Sequence, residues 1–160
     1  MQKYATIKFI SESDKMMTGT TKFSTFQAQA TLAIPLYSHK VVAGFPSPAD
    51  DYLEGTFCLN EMLIKHPAAT FMVRAAGESM INAGIEENDH LIVDRSLTPK
   101  DNDIVIAAVD GQLTVKRFQK KGEAVFLQPD NPRFATIEVK ENSEITIFGV
   151  VTNIIKHVRK

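Results

Sequence analysis

The sequence predicts a mainly β body with one short helix, a curved antiparallel assembly preceded by an extended N-terminal arm. Three observations carry this. Short runs of β-branched and apolar residues recur from Thr70 onward, separated by Gly, Asn, Asp and Pro. An Asp110-Gly111 pair stands between two such runs, where it readily supplies the two positive φ angles of a type I′ hairpin turn. Residues 1–30 hold no sustained period of 2 or 3.6 and few groups from which to build a core. A length of 160 residues with 44% hydrophobic content suits one modest core plus an arm, not two independent domains.

In chain order, the arm includes the polar run Thr18 to Gln27 and continues into residues 31–48, read as irregular because Pro35, Pro46 and Pro48 interrupt any ladder or helix. A short helix is predicted from Asn60 to Lys65, with Asn60 as N-cap, Met62, Leu63 and Ile64 as apolar contacts, and His66-Pro67 as the stop. Strands follow at Thr70–Ala75, His90–Asp94 and Asp103–Val109, then Gln112–Phe118 across the Asp110-Gly111 turn. Further strands are expected at Ala124–Gln128, Thr136–Val139 and Ile145–Ile155, the last long and apolar enough to be a central or interface strand.

Composition narrows the function classes. Net charge is −1, but residues 1–44 hold five Lys against two acidic residues, so a basic arm precedes a mildly acidic body. Neither part is basic enough to predict sequence-specific DNA binding of its own. No apolar run approaches the ~18 residues of a membrane span and no signal segment is evident, so a cytoplasmic protein is expected. Cys58 is the only cysteine, which fits a reducing compartment and a small core residue. His39, His66, His90 and His157 are scattered without ligand spacing, so no metal is predicted; the glycines form no phosphate-binding loop, so no cofactor is predicted either.

Two residues carry chemistry. Ser79 lies in the turn Gly77-Glu78-Ser79-Met80, where a glycine permits close backbone approach and the neighbouring amides can face a developing oxyanion. Lys116 lies within Leu113-Thr114-Val115-Lys116-Arg117-Phe118, sharing a strand face with Thr114 and Phe118. A free lysine with pKa near ~10.4 costs roughly 4.6 kcal/mol to deprotonate at pH 7. Burial in an apolar wall lowers that pKa and brings a base within working range. A serine nucleophile served by a neutral amine needs only oxyanion donors in addition. Upstream, the small-residue bond Ala43-Gly44 lies in a stretch suited to occupying a protease cleft as substrate.

Beyond these local signals, the stretch Gly44-Phe45-Pro46-Ser47-Pro48-Ala49 with Asp50-Asp51-Tyr52, the helix Leu59 to Ile64, the Gly77-Glu78-Ser79-Met80 turn and Leu113-Thr114-Val115-Lys116 closely resemble the UmuD-like proteins. These are self-cleaving translesion polymerase subunits within the LexA-like serine peptidase family. The resemblance runs from about Ile34 to the C-terminal end, through Leu127-Gln128-Pro129, Asn131-Pro132 and Phe148-Gly149-Val150-Val151. Separations of 36 positions from Ala43 to Ser79 and 37 from Ser79 to Lys116 agree with it.

The resemblance implies a LexA-like peptidase fold in which residues 1–43 form an arm removed by self-cleavage and residues 44–160 form the peptidase and dimerisation body. It further implies that Ser79 attacks the Ala43-Gly44 carbonyl, Lys116 is the base, and the Glu78 and Ser79 backbone amides form the oxyanion hole. Implied partners are a second copy in a homodimer, a RecA filament on single-stranded DNA that stimulates cleavage, and a UmuC-type Y-family DNA polymerase. Ala43, a small residue that LexA-like sites also use, stands where UmuD itself carries cysteine. The segment before Thr25 has no counterpart in the resemblance. The competing readings are a non-catalytic dimeric platform for polymerase and RecA, and a LexA-like repressor. The latter is disfavoured because no pair of amphipathic helices precedes Gly44.

Overall fold

The computed structural model describes residues 8–9, 32–37, 53–140 and 143–159. Its elements, in chain order, begin with strands β1 (Lys8–Phe9), β2 (Ala33–Tyr37) and β3 (Leu53–Cys58), followed by helix α1 (Leu59–Leu63). Strand β4 (Thr70–Arg74) follows a 3₁₀ turn at Pro67–Ala69, and a second 3₁₀ turn at Ile81–Ala83 precedes β5 (His90–Asp94). The remainder is β6 (Ile104–Val109), β7 (Gln112–Lys121), β8 (Ala124–Gln128), β9 (Ile137–Glu138) and β10 (Ile145–Ile155). The fold is mainly β with one short helix, as the sequence predicts.

Most strands form one sheet in the order β4-β5-β10-β6-β7-β8-β9, every neighbouring pair antiparallel. The predicted hairpin stands at its centre. Asp110 (φ 48°) and Gly111 (φ 79°) both take positive φ, and the turn sets Val105 opposite Lys116 and Val109 opposite Gln112. Strand β10 is central as expected, but it changes partners along its length: Ile145–Val150 pair with β6, and Val150–Ile155 pair with β5. A Cβ built on Gly149 would lie 2.8 Å from the Asp94 carbonyl oxygen, so glycine is what lets β10 pass this close to β5.

Both faces of the sheet are buried around its middle. One cluster gathers Val105, Ala107, Phe118, Val125, Leu127, Ile145, Ile147 and Val150; the other gathers Ala75, Met80, Ile85, Leu91, Val93 and Ile106. Alternation along β6 explains the division, since Val105 and Ala107 point one way and Ile106 the other.

Three expectations are corrected. Residues 33–37, read as irregular, form β2, which pairs antiparallel with β3 in a separate two-stranded sheet. Pro35 is accommodated because both strands of such a sheet are edges. The helix begins at Leu59 instead of Asn60 and ends at Leu63; its N-cap is Cys58, still in extended geometry, because β3 runs directly into it. Cys58 is accordingly half-buried at that junction and not part of the core. The Ala43-Gly44 bond, the polar run 18–27 and the proline-bearing stretch 46–48 lie outside the described residues.

Candidate active site

Ser79 is presented by a turn held from both ends. On leaving β4 the chain passes Ala75, whose amide and carbonyl bond to Asp89 and Asn88, then reverses at Gly77 with φ 78°. One residue past Ser79, the Met80 side chain plugs into the core at 1% exposure, and its carbonyl accepts from the Ala83 and Ile85 amides. Ser79 is therefore fixed by its buried neighbour while its own side chain stays half-exposed.

A second loop, following β8, braces the same turn. Asn131, buried at 7% exposure, donates from Nδ2 to the Glu78 carbonyl at 2.9 Å. The Asp130 carbonyl accepts from the Asn82 amide at 3.0 Å, and the Asp130 amide donates to the Met80 sulfur at 3.4 Å. Arg117 of β7 ties this loop back to the sheet, donating from Nε to Asp130 Oδ2 at 3.0 Å and from a terminal nitrogen to the same carboxylate. Its other terminal nitrogen reaches the Asn102 carbonyl at 2.7 Å.

Lys116 enters from the opposite face of β7, paired across the hairpin with the fully buried Val105 and flanked on its own face by Thr114 and Phe118. Its Nζ lies 3.0 Å from Ser79 Oγ, 2.8 Å from Thr114 Oγ1 and 2.9 Å from the Val115 carbonyl. Lys116 is 7% exposed, and among the described residues no carboxylate pairs with it. Desolvation therefore holds its pKa below the ordinary lysine value.

These contacts suit a neutral amine. Two N–H groups can stay on Thr114 Oγ1 and the Val115 carbonyl, while the nitrogen lone pair accepts the Ser79 hydroxyl proton. An ammonium in the same place donates all three. The site thus holds the amine in one orientation through either protonation state.

The structure brings Ser79 and Lys116 together. Among the described residues, the Glu78 and Ser79 amides donate to no acceptor, so both remain available to a ligand oxygen. Ala43 and Gly44 lie within residues 38–52, the connection between the paired strands β2 and β3. Sequence reasoning gave no role to Thr114, Arg117, Asp130 or Asn131. The placement of Asp130-Asn131 between Pro129 and Pro132 was the one local signal of a shaped loop; its contacts with the Ser79 turn are non-local. Among the described residues no three His, Cys, Asp or Glu gather as metal ligands, and no helix is long and apolar enough to cross a membrane.

A β body that aims a desolvated amine at a turn serine defines a class of hydrolase-like architecture. Comparison with known proteins specifies it: residues 35–152 match the Peptidase S24-like family model, and the chain belongs to that family. Protein ImpA of Salmonella typhimurium is 48% identical over 128 residues, covering 79% of this chain and 86% of its own length. Protein MucA of Escherichia coli is 37% identical over 137 residues, covering 84% and 93%. A LexA repressor from Shewanella denitrificans is 35% identical over 147 residues, covering 89% of this chain and 71% of the repressor. The UmuD-like resemblance is thus borne out, and at family level the chain is a peptidase of the S24 type.

Proposed function

We propose that the chain cuts its own Ala43-Gly44 bond with a Ser79-Lys116 dyad, as the first step in supplying a trimmed subunit to an error-prone translesion DNA polymerase. The observation that carries this reading is the 3.0 Å contact between Ser79 Oγ and a buried lysine amine that has no carboxylate partner among the described residues. A structural lysine would be expected to keep a counter-ion or reach solvent.

In the reaction, neutral Lys116 takes the Ser79 hydroxyl proton as Oγ bonds to the Ala43 carbonyl carbon. The Glu78 and Ser79 amides receive the oxyanion. Lys116 then returns the proton to the Gly44 nitrogen, the C–N bond breaks, and an Ala43 ester remains on Ser79. Water, deprotonated by the same amine, hydrolyses that ester and restores the serine. Thr114 and the Val115 carbonyl keep the amine oriented in each proton transfer.

The RecA filament on single-stranded DNA favours the cleavable placement of the substrate segment. The trimmed chain acts as a homodimer in the cytoplasm and joins a UmuC-type Y-family polymerase. The chemical step is tested by incubating purified protein with RecA, single-stranded DNA and a nucleotide that keeps the filament active. A fragment beginning at Gly44 is expected, and it should be absent from Ser79→Ala and Lys116→Ala. Wild-type cutting by either variant overturns the dyad. Without the filament, the rate should climb with pH while Lys116 deprotonates and level off below the ordinary lysine pKa.

A further inference from the structure

Strand β10 has a half-edge that the body leaves open. On one side β6 pairs with Ile145–Val150; on the other, β5 pairs only with Val150–Ile155. The body itself ends β5 there. Asp94 Oδ1 accepts from both the Ser96 amide at 2.8 Å and the Ser96 hydroxyl at 2.6 Å, an Asx-type turn that carries the chain off the sheet. The Arg95 amide meanwhile bonds to the Ala69 carbonyl, away from β10. The backbone of residues 145–149 consequently faces no body strand on that side.

Lys8 and Phe9 occupy this half-edge as β1, pairing in parallel with Thr146 and Ile147. It is the only parallel pairing among the described strands. The local sequence, Thr6-Ile7-Lys8-Phe9-Ile10, is rich in strand-forming residues. The acceptor lies inside the residues matched by the family model, whereas β1 lies before them.

We propose that Lys8–Phe9 is an intramolecular cover strand for the open half-edge of β10, and that cutting the chain between Ala43 and Gly44 uncovers it. The cover follows from the pairing alone; its release rests on the proposed self-cleavage. An unpaired strand edge is a template for adding another strand, so the cover keeps the uncut chain from premature strand addition.

Magnitudes explain why the cut would act as the release. A two-residue pairing supplies only the small net gain of a few backbone hydrogen bonds. Between separate molecules the loss of translational and rotational freedom outweighs so short a pairing. The pairing persists only while a tether supplies a high effective concentration; scission removes the covalent tether, and separation of β2 from β3 then removes the remaining one. The extra N-terminal residues thereby gain a task that the peptidase chemistry does not require.

Hydrogen exchange resolved to short peptides tests this on the full-length chain. Lys8→Pro and Phe9→Pro each remove a backbone donor and disfavour a paired strand; together they sample both residue positions. At least one is expected to speed exchange within 145–149 by about tenfold, the effect of one lost bond and its ladder. Segments 104–109 and 150–155 should keep their wild-type protection, which also reports that each variant is folded. Unchanged exchange at 145–149 in both variants overturns the cover. Filament-stimulated wild type should show the same local acceleration after cutting, and Ser79→Ala should not. Undiminished protection after the cut fragment has separated, as judged under native conditions, overturns the release. A proline effect in a chain that never cuts supports the cover while overturning the cleavage reading itself.

Discussion

The two faces of β7 treat adjacent cations in opposite ways. Arg117 is bonded to the Asp130 carboxylate, a contact that raises its pKa, and it uses permanent charge to anchor the loop bracing the Ser79 turn. Lys116, one residue earlier, is buried with two neutral acceptors and a serine, and burial lowers its pKa. Charge is held by a counter-ion at one position and disfavoured by burial at the next. A strand makes this possible because successive side chains face different surroundings without any change in backbone direction.

The largest expected effect comes from removing the distinction. Lys116→Arg should leave an always-charged group at the site and reduce self-cleavage by at least about 10²–10⁴-fold, the usual contribution of a general base. Timed gel analysis of cleavage measures this, and a loss smaller than tenfold would contradict the base assignment. Far-UV circular dichroism of the same variant should remain that of a folded β protein.

The opposite face should respond through structure. Asp130→Asn leaves Arg117 without its anion and loosens the Asn131 and Asn82 contacts to the Ser79 turn. We expect a loss of about 1–3 kcal/mol in urea unfolding, with a slower cut. Asn131→Ala should slow the cut with less loss of stability, because the Arg117–Asp130 anchor remains. If Asp130→Asn alters neither quantity, the loop does not brace the turn.

Stability as a function of pH sharpens the comparison further. Because the folded pKa of Lys116 lies below its unfolded value, the unfolded chain binds more protons between those two pKa values. Lys116 therefore disfavours folding at neutral pH, and this penalty fades as pH rises from the folded value toward 10.5. Lys116→Met should accordingly raise the urea midpoint at pH 7, with the gap to wild type narrowing over that alkaline window. A gap that widens with pH would show the lysine to be stabilised as an ammonium. The smallest effect is expected from Thr114→Val, which removes one of the two neutral partners of the amine: a several-fold slower cut and an altered pH profile, with the fold retained.

Legibility in the sequence followed the range of the interactions. The Asp110-Gly111 hairpin was readable because its turn chemistry is local, and β5, β8 and β10 because their apolar runs end at clear turn signals. Strand β2 is not legible because Pro35 argues against a strand unless that strand is an edge, and edge status depends on β3, where Pro35 pairs with Thr56, 21 positions away. At the site, Ser79 and Lys116 stood out as residue types that perform chemistry. The bracing contacts did not: Asn131 reaches Glu78 across 53 positions, and nothing near Asn131 in sequence specifies that carbonyl as its partner. Asn60 reads as a cap by its residue type, whereas the entry into α1 is set by the strand that feeds it.

The pairing of β2 with β3 has a temporal consequence. These strands flank residues 38–52, the stretch that contains Ala43 and Gly44, so a cut there would sever the covalent connection without breaking the ladder between the strands. The immediate product would be a nicked assembly, still joined from Ala33–Tyr37 to Leu53–Cys58. Bond scission and fragment departure would then run on separate clocks, the first seen on a denaturing gel and the second only under native conditions. The lag between them would be set by how fast one edge strand peels from another.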